Sequence, residues 1–173
     1  MSAQTTYNFS SPIGSPGGLV DLAPHAIDTF LNGENTGVLK FGVGVVQGAT
    51  PGTDIKLPTS TSTAAKFEGI TVNNRTTEYD VEGKAHLRKG KATGVLKYGR
   101  IYARVAADAA PAYGDALYLI PTGDEAGYFT KDADNGETGD AKVSYIAIKG
   151  RFLGAVDSTA QVAPVELYNT PNS

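Results

Sequence analysis

YGRIYARV, residues 98 to 105, reads as a β-strand with two unlike faces. Successive side chains of an extended chain point to opposite sides, so Gly99, Ile101, Ala103 and Val105 share one face and Tyr98, Arg100, Tyr102 and Arg104 the other. One side is built for a core and the other for water or a partner.

Working outward, short apolar or alternating runs recur at Val38–Val46, Asp54–Leu57, Phe67–Val72, Lys84–Arg88, Val95–Val105, Ala116–Ile120, Val143–Ile148, Arg151–Val156 and Pro164–Tyr168. Gly, Pro, Asn and Asp punctuate them, as they do strands joined by turns. No helical period of useful length competes. The exception is PHAIDTFL, residues 24 to 31, where Ile27, Phe30 and Leu31 fall at helical spacing before Asn32-Gly33, which predicts one short turn or helix. Residues 1 to 24 are rich in Ser, Thr, Gly and Pro and form an extended arm, on which Tyr7, Phe9, Ile13, Leu19 and Val20 are apolar anchors for a partner. The expected architecture is all-β, a small β-sandwich or barrel over residues 25–173 with the extended N-terminal arm 1–24.

TGVLKFG at 36 to 42 returns almost unchanged as TGVLKYG at 93 to 99. Each copy is followed by a β run, a Gly-Asp or Gly-Thr-Asp turn and a run ending in proline: PGTDIKLP after the first, AYGDALYLIP after the second. FEGITV at Phe67 and FLGAVD at Phe152 echo each other at a different spacing. Two readings stand, a duplicated β unit and the general likeness of strand-turn sequences.

Composition narrows the function. Of 173 residues 21 are Gly, 9 are Tyr, and none is Cys or Trp, so there is no disulfide framework and no thiolate nucleophile. A net charge of −3 argues against a general nucleic-acid binder. The first residues lack the cationic and apolar regions of a signal peptide, and no run approaches a membrane span. Catalysis needs a nucleophile beside a base or two carboxylates across a cleft. The two histidines, His25 in the arm and His86 in a strand-like run, suit exposed or packed roles, and no catalytic, phosphate-binding or zinc motif is present. KDADNGETGD, residues 131 to 140, groups Asp132, Asp134, Asn135 and Asp140 around Gly136, but position 143 is Val where an EF-hand needs Glu, so a solvated loop tip is expected. Neither metal nor cofactor is expected. The stretch from Lys84 to Arg100 carries six cations, Lys84, Arg88, Lys89, Lys91, Lys97 and Arg100, a charged hairpin or a basic patch facing an acidic protein surface.

The order FEGITV, a basic strand, KYGRIYARV, AAPAYGDALYLIP, the GYFTKDAD loop, GRFLGAV and a terminal VELYN resembles the capsid cement or decoration proteins of tailed bacteriophages, over about residues 66 to 169. The resemblance implies a non-enzymatic protein made in the bacterial host and placed on the outside of a viral head, where it stabilises joints between capsomers. Its implied partners are the major capsid protein and itself, as a homotrimer, with neither nucleic acid nor membrane. Tyr7, Phe9, Ile13, Arg100, Tyr102 and Arg104 are the expected interface residues. A carbohydrate-binding or host-adhesion module is the alternative, with Tyr98, Tyr102, Tyr113 and Tyr118 as a stacking platform.

Overall fold

The computed structural model describes residues 14 to 73, the backbone of 78, 79, 85 and 86, and residues 87 to 170. Among the described residues strand makes up 39%, and the 4% that is helical is confined to two short 3-10 turns, Ala64–Lys66 and Gly139–Ala141. The all-β expectation therefore holds. The strands are β1 (Ala26–Asn32), β2 (Gly44–Gln47), β3 (Asp54–Lys56), β4 (Phe67–Thr71), β5 (Glu78–Tyr79), β6 (Ala85–His86), β7 (Ala92–Arg104), β8 (Ala116–Leu119), β9 (Phe129–Thr130), β10 (Ile146–Phe152) and β11 (Val162–Leu167).

β7, 13 residues long, organises the molecule. Its first half closes a five-strand barrel in the order β1-β3-β2-β4-β7, with β7 antiparallel to β1. Its second half continues into β7-β11-β10-β8-β9. The two sets are wound alike. In the first, β1 and β3 run parallel and the other neighbours antiparallel. In the second, β11, β10, β8 and β9 follow antiparallel, and a parallel bridge from Val105, just past β7, to Phe129 of β9 returns to the start. β5 and β6 pair as a separate hairpin between β4 and β7.

Residues 26 to 32 form a strand where the sequence spacing predicts a helix. Pairing decides it: β1 lies along β7 from Ala26↔Tyr98 to Leu31↔Ala92, and Leu31 also meets Asp54 of β3. Phe30 then points into the barrel while Ile27 and Leu31 face outward. Asn32 ends the strand buried, donating from Nδ2 to Leu87 O (3.0 Å) and accepting from Glu34 N–H (2.9 Å), so a polar side chain is satisfied inside.

The inward face read from YGRIYARV is a core face: Ile101, Ala103 and Val105 are fully buried. They join Leu117, Leu119, Phe129, Phe152 and Val165 in the larger core, while Phe30, Leu39, Val43, Val45, Ile55, Leu87 and Val95 fill the first barrel. Each fully buried aliphatic or aromatic side chain contributes about 1.5–3 kcal/mol relative to exposure.

The repeated phrase takes two unlike structures. TGVLKYG lies in β7, whereas TGVLKFG is a chain of turns leading to β2. Val95 is fully buried and Val38 is exposed; Lys97 pairs with Glu68, and Lys40 reaches the Tyr128 hydroxyl at 3.2 Å.

Candidate functional site

The outward face of β7 is the surface that sequence reading singles out. Arg100, Tyr102 and Arg104 stand on it half-buried, each held within the chain.

Arg100 lies opposite Glu166 of β11, which lies opposite Arg151 of β10. The register builds a cross-strand ladder. Arg100 Nε donates to Glu166 Oε1 (3.0 Å), Arg151 Nε to Glu166 Oε2 (2.9 Å), and Arg100 Nη1 to Asp21 Oδ2 (2.8 Å). Arg151 also lies over the exposed Tyr113 ring, 5.5 Å from its centroid. Burial pushes the Glu166 carboxyl up, but hydrogen bonds and charge from Arg100 and Arg151 together outweigh it and hold the group below its ordinary range. The Asp21 carboxyl is also lowered, first by the Ala23 N–H and then by Arg100. Two cations and two anions neutralise one another here.

Tyr102 is covered by the chain before β1. Gly17 N–H donates to Tyr102 O (2.8 Å), Tyr102 N–H donates to Gly18 O (2.9 Å), and Leu19 bridges Ile101. A Cβ on Gly14 would fall 2.4 Å from the Tyr102 ring, so only glycine fits against it. Residues 17 to 20 thus run beside β7 as an added edge. Tyr7, Phe9 and Ile13 lie outside the described residues.

Arg104 has a different setting. Nε donates to Phe41 O (3.0 Å), and its guanidinium carbon lies 5.9 Å from the centroid of the Tyr128 ring. Lys40 approaches the same ring, 5.5 Å from the centroid, and donates to its hydroxyl. The Thr71 hydroxyl fixes the approach by donating to Lys40 O (2.8 Å) and accepting from Val43 N–H (3.1 Å). Sequence reading missed Lys40 and Tyr128, which come from distant connections; the lysine's place in a repeated phrase was the only local signal.

The other candidates are spread out. His25 is exposed and bonds Ala23 O through Nδ1 (2.8 Å), while His86 lies in the separate hairpin. In the 131–140 loop Asp134 pairs with Lys142 (2.8 Å) and accepts from Gly136 N–H, Asn135 Oδ1 accepts from Val143 N–H, and Asp132 pairs with Lys131, so its oxygens hold its own fold. Among the described residues no three metal-ligating side chains converge. Tyr98 and Tyr102 on β7 are separated from Tyr118 on β8 by β11 and β10, about 14 Å at roughly 4.8 Å per strand, and Tyr102 is already covered. These tyrosines do not make one stacking platform.

Polar groups turned on one another, a core shared by two alike strand sets and a backbone-paired edge segment define an all-β protein with no cluster of catalytic or metal-ligating groups among the described residues. The sequence matches the family described as structural cement protein (E217 gp24/Pam3 gp6) over residues 3–168, and the chain belongs to that family. Its role is that of a phage-capsid cement protein associated with capsid proteins. Among solved structures it is similar to a chain from "The capsid of Myoviridae Phage XM1", with 21% identity, a TM-score of 0.71, and coverage of 98% of this chain and 99% of that one. At that identity the likeness is one of fold. No curated protein matches the sequence.

Proposed function

We propose that the protein, made in the host cytoplasm, is added to the outer surface of the head as a homotrimer, where it ties neighbouring capsomers together and performs no chemistry. The observation that carries this reading is that the family match begins at residue 3 and so includes the arm as well as both strand sets. Cementing by an arm is physically economical, since an extended segment adds contact area without a larger core, and many copies turn modest contacts into tight holding. Tyr7, Phe9 and Ile13 are the arm's anchors in this proposal. Arg104 and Tyr102 mark the face from which the arm departs, and Arg100 braces that face through Asp21 and Glu166. The two alike windings are taken as a duplicated β unit. Partners exclude nucleic acid, in keeping with the net charge of −3, and membrane; no helix among the described residues is long and apolar enough to cross one.

Cryo-electron microscopy of heads, with analytical ultracentrifugation of the free protein, tests the placement. Density on the outer surface at local threefold positions and a trimer in solution are expected. Density on the inner surface, or at positions incompatible with threefold symmetry, would reject it.

A further inference from the structure

The geometry points to a carboxylate-receiving site formed by Lys40 and Arg104 around Tyr128, which takes an acidic side chain of the capsid protein. The inference rests on the cement reading above and names the chemistry of one contact within it.

Three observations lead to it. First, two cations that meet no acid among the described residues converge on one ring. Lys97, Arg100, Lys131, Lys142 and Arg151 each pair with a carboxylate, while Lys40 and Arg104 have no carboxylate partner among the described residues. Elsewhere on the same strand the chain does supply acids, giving Arg100 two and Lys97 one. Second, the cations are held in place. Arg104 is anchored by Nε to Phe41 O (3.0 Å) and by its own N–H to Gly42 O (2.8 Å), leaving both Nη groups as donors. Lys40 is anchored by the Tyr128 hydroxyl (3.2 Å), and its carbonyl by Thr71 (2.8 Å). Such positioning reduces the ordering entropy that a surface ion pair ordinarily costs. Third, Lys40 is exposed and Arg104 half-buried, so both belong to the surface of the protein.

The favoured occupant follows from charge. Two cations over one aromatic ring suit an Asp or Glu side chain, to which either the guanidinium or the ammonium can donate. A nucleic-acid backbone would need a longer run of cations, and the chain's net charge of −3 would repel it. A capsid-protein carboxylate needs neither.

The test uses heads stripped of the protein and the full chain, with binding measured across a salt series. Lys40→Gln alone and Lys40→Gln/Arg104→Gln together are compared with wild type and with Lys66→Gln, an exposed lysine outside the site. The double variant should bind about tenfold more weakly at low salt, with the gap narrowing as the Debye length shrinks from about 10 Å at 0.1 M to about 3 Å at 1 M. Lys40→Gln, which changes only an exposed side chain, should show part of that loss with an unchanged Tm, and Lys66→Gln should show none. Equal binding of Lys40→Gln and wild type at every salt concentration overturns the inference while leaving the cement reading intact. An equal loss for Lys66→Gln overturns it in favour of unspecific charge attraction. A change in self-association with unchanged head binding overturns it in favour of a second copy as the partner. Failure of the wild type itself to bind heads instead sinks the placement on the head.

Discussion

Val95 and Leu96 are consecutive in β7, both fully buried, and point into different cores. Val95 belongs to the first barrel, whereas Leu96, opposite Ile70 of β4, faces the larger core formed with the second strand set. One strand wall therefore serves both sets, and neither core can open without disturbing it. Leu96→Ala should cost about 2–5 kcal/mol, and Val95→Ala a smaller amount in the same direction. Both variants should still unfold in one calorimetric transition. Two separated transitions would show that the two strand sets are independent units.

Gly69 lies in β4, between β2 and β7, opposite Val45 and beside the register irregularity of the β2–β4 pair. Its φ is +142°, and a Cβ there would lie 2.1 Å from Leu96 O. Alanine must therefore meet both a strained backbone and a backbone atom that cannot swing aside, a loss of at least about 1–3 kcal/mol. Gly52, at φ +78° with nothing near its Cβ position, carries the backbone term alone. Gly69→Ala should lower the urea midpoint clearly more than Gly52→Ala, and equal shifts would remove the contact with Leu96 from the explanation.

The fold was legible where local pattern and long-range pairing agree. YGRIYARV alternates because one face is buried along its length, and Ile101, Ala103 and Val105 are fully buried. β1 was not legible, because Ile27, Phe30 and Leu31 satisfy helical spacing, and only the partners Leu96, Thr93 and Ala92 on β7 make them a strand. Nor does TGVLKFG reveal that it differs from TGVLKYG; the first is held by Thr71 and the second by sheet neighbours on both sides. On the candidate surface the spacing of Arg100 and Arg104 was visible, but their settings were not. Asp21, Glu166, Phe41 and Tyr128 reach these arginines from elsewhere in the sequence, so local reading made two unlike residues look equivalent.

The Arg100–Glu166–Arg151 ladder makes stability depend on pH in one direction. Glu166 has a carboxyl held below its ordinary value of 4.5, so its ionised form is favoured by folding. The associated stability is fully present above the ordinary carboxylate range and is lost as pH falls through the lowered folded-state value. Glu166→Gln should melt below wild type at pH 7, and the difference should close as both are taken into the acid range. A gap that stays constant down to pH 3 would mean that packing of the side chain, not its charge, supplies the stability.

The segment before β1 separates two roles that a single deletion would confuse. Residues 17 to 20 are tied to the body: Gly17 N–H donates to Tyr102 O, Val20 N–H to Arg100 O (3.1 Å), Asn73 N–H to Gly17 O (2.8 Å), and Leu19 packs on the larger core. Removing residues 2–20 would leave those groups of β7 as an unpaired edge and uncover Ile101. This should lower Tm by several degrees, at about 2–4 °C per kcal/mol for a chain of this size. Removing only residues 2–13 keeps every one of these bonds and should leave Tm within about 2 °C of wild type. If Tyr7, Phe9 and Ile13 are anchors, the shorter deletion should nevertheless weaken attachment to stripped heads, with a faster off-rate because apolar contacts are lost rather than long-range attraction. Undiminished attachment after the shorter deletion would remove the anchors from the cementing contact and leave the β7 face as the surface to pursue. Unchanged stability after the longer one would show that the backbone pairing beside β7 contributes little.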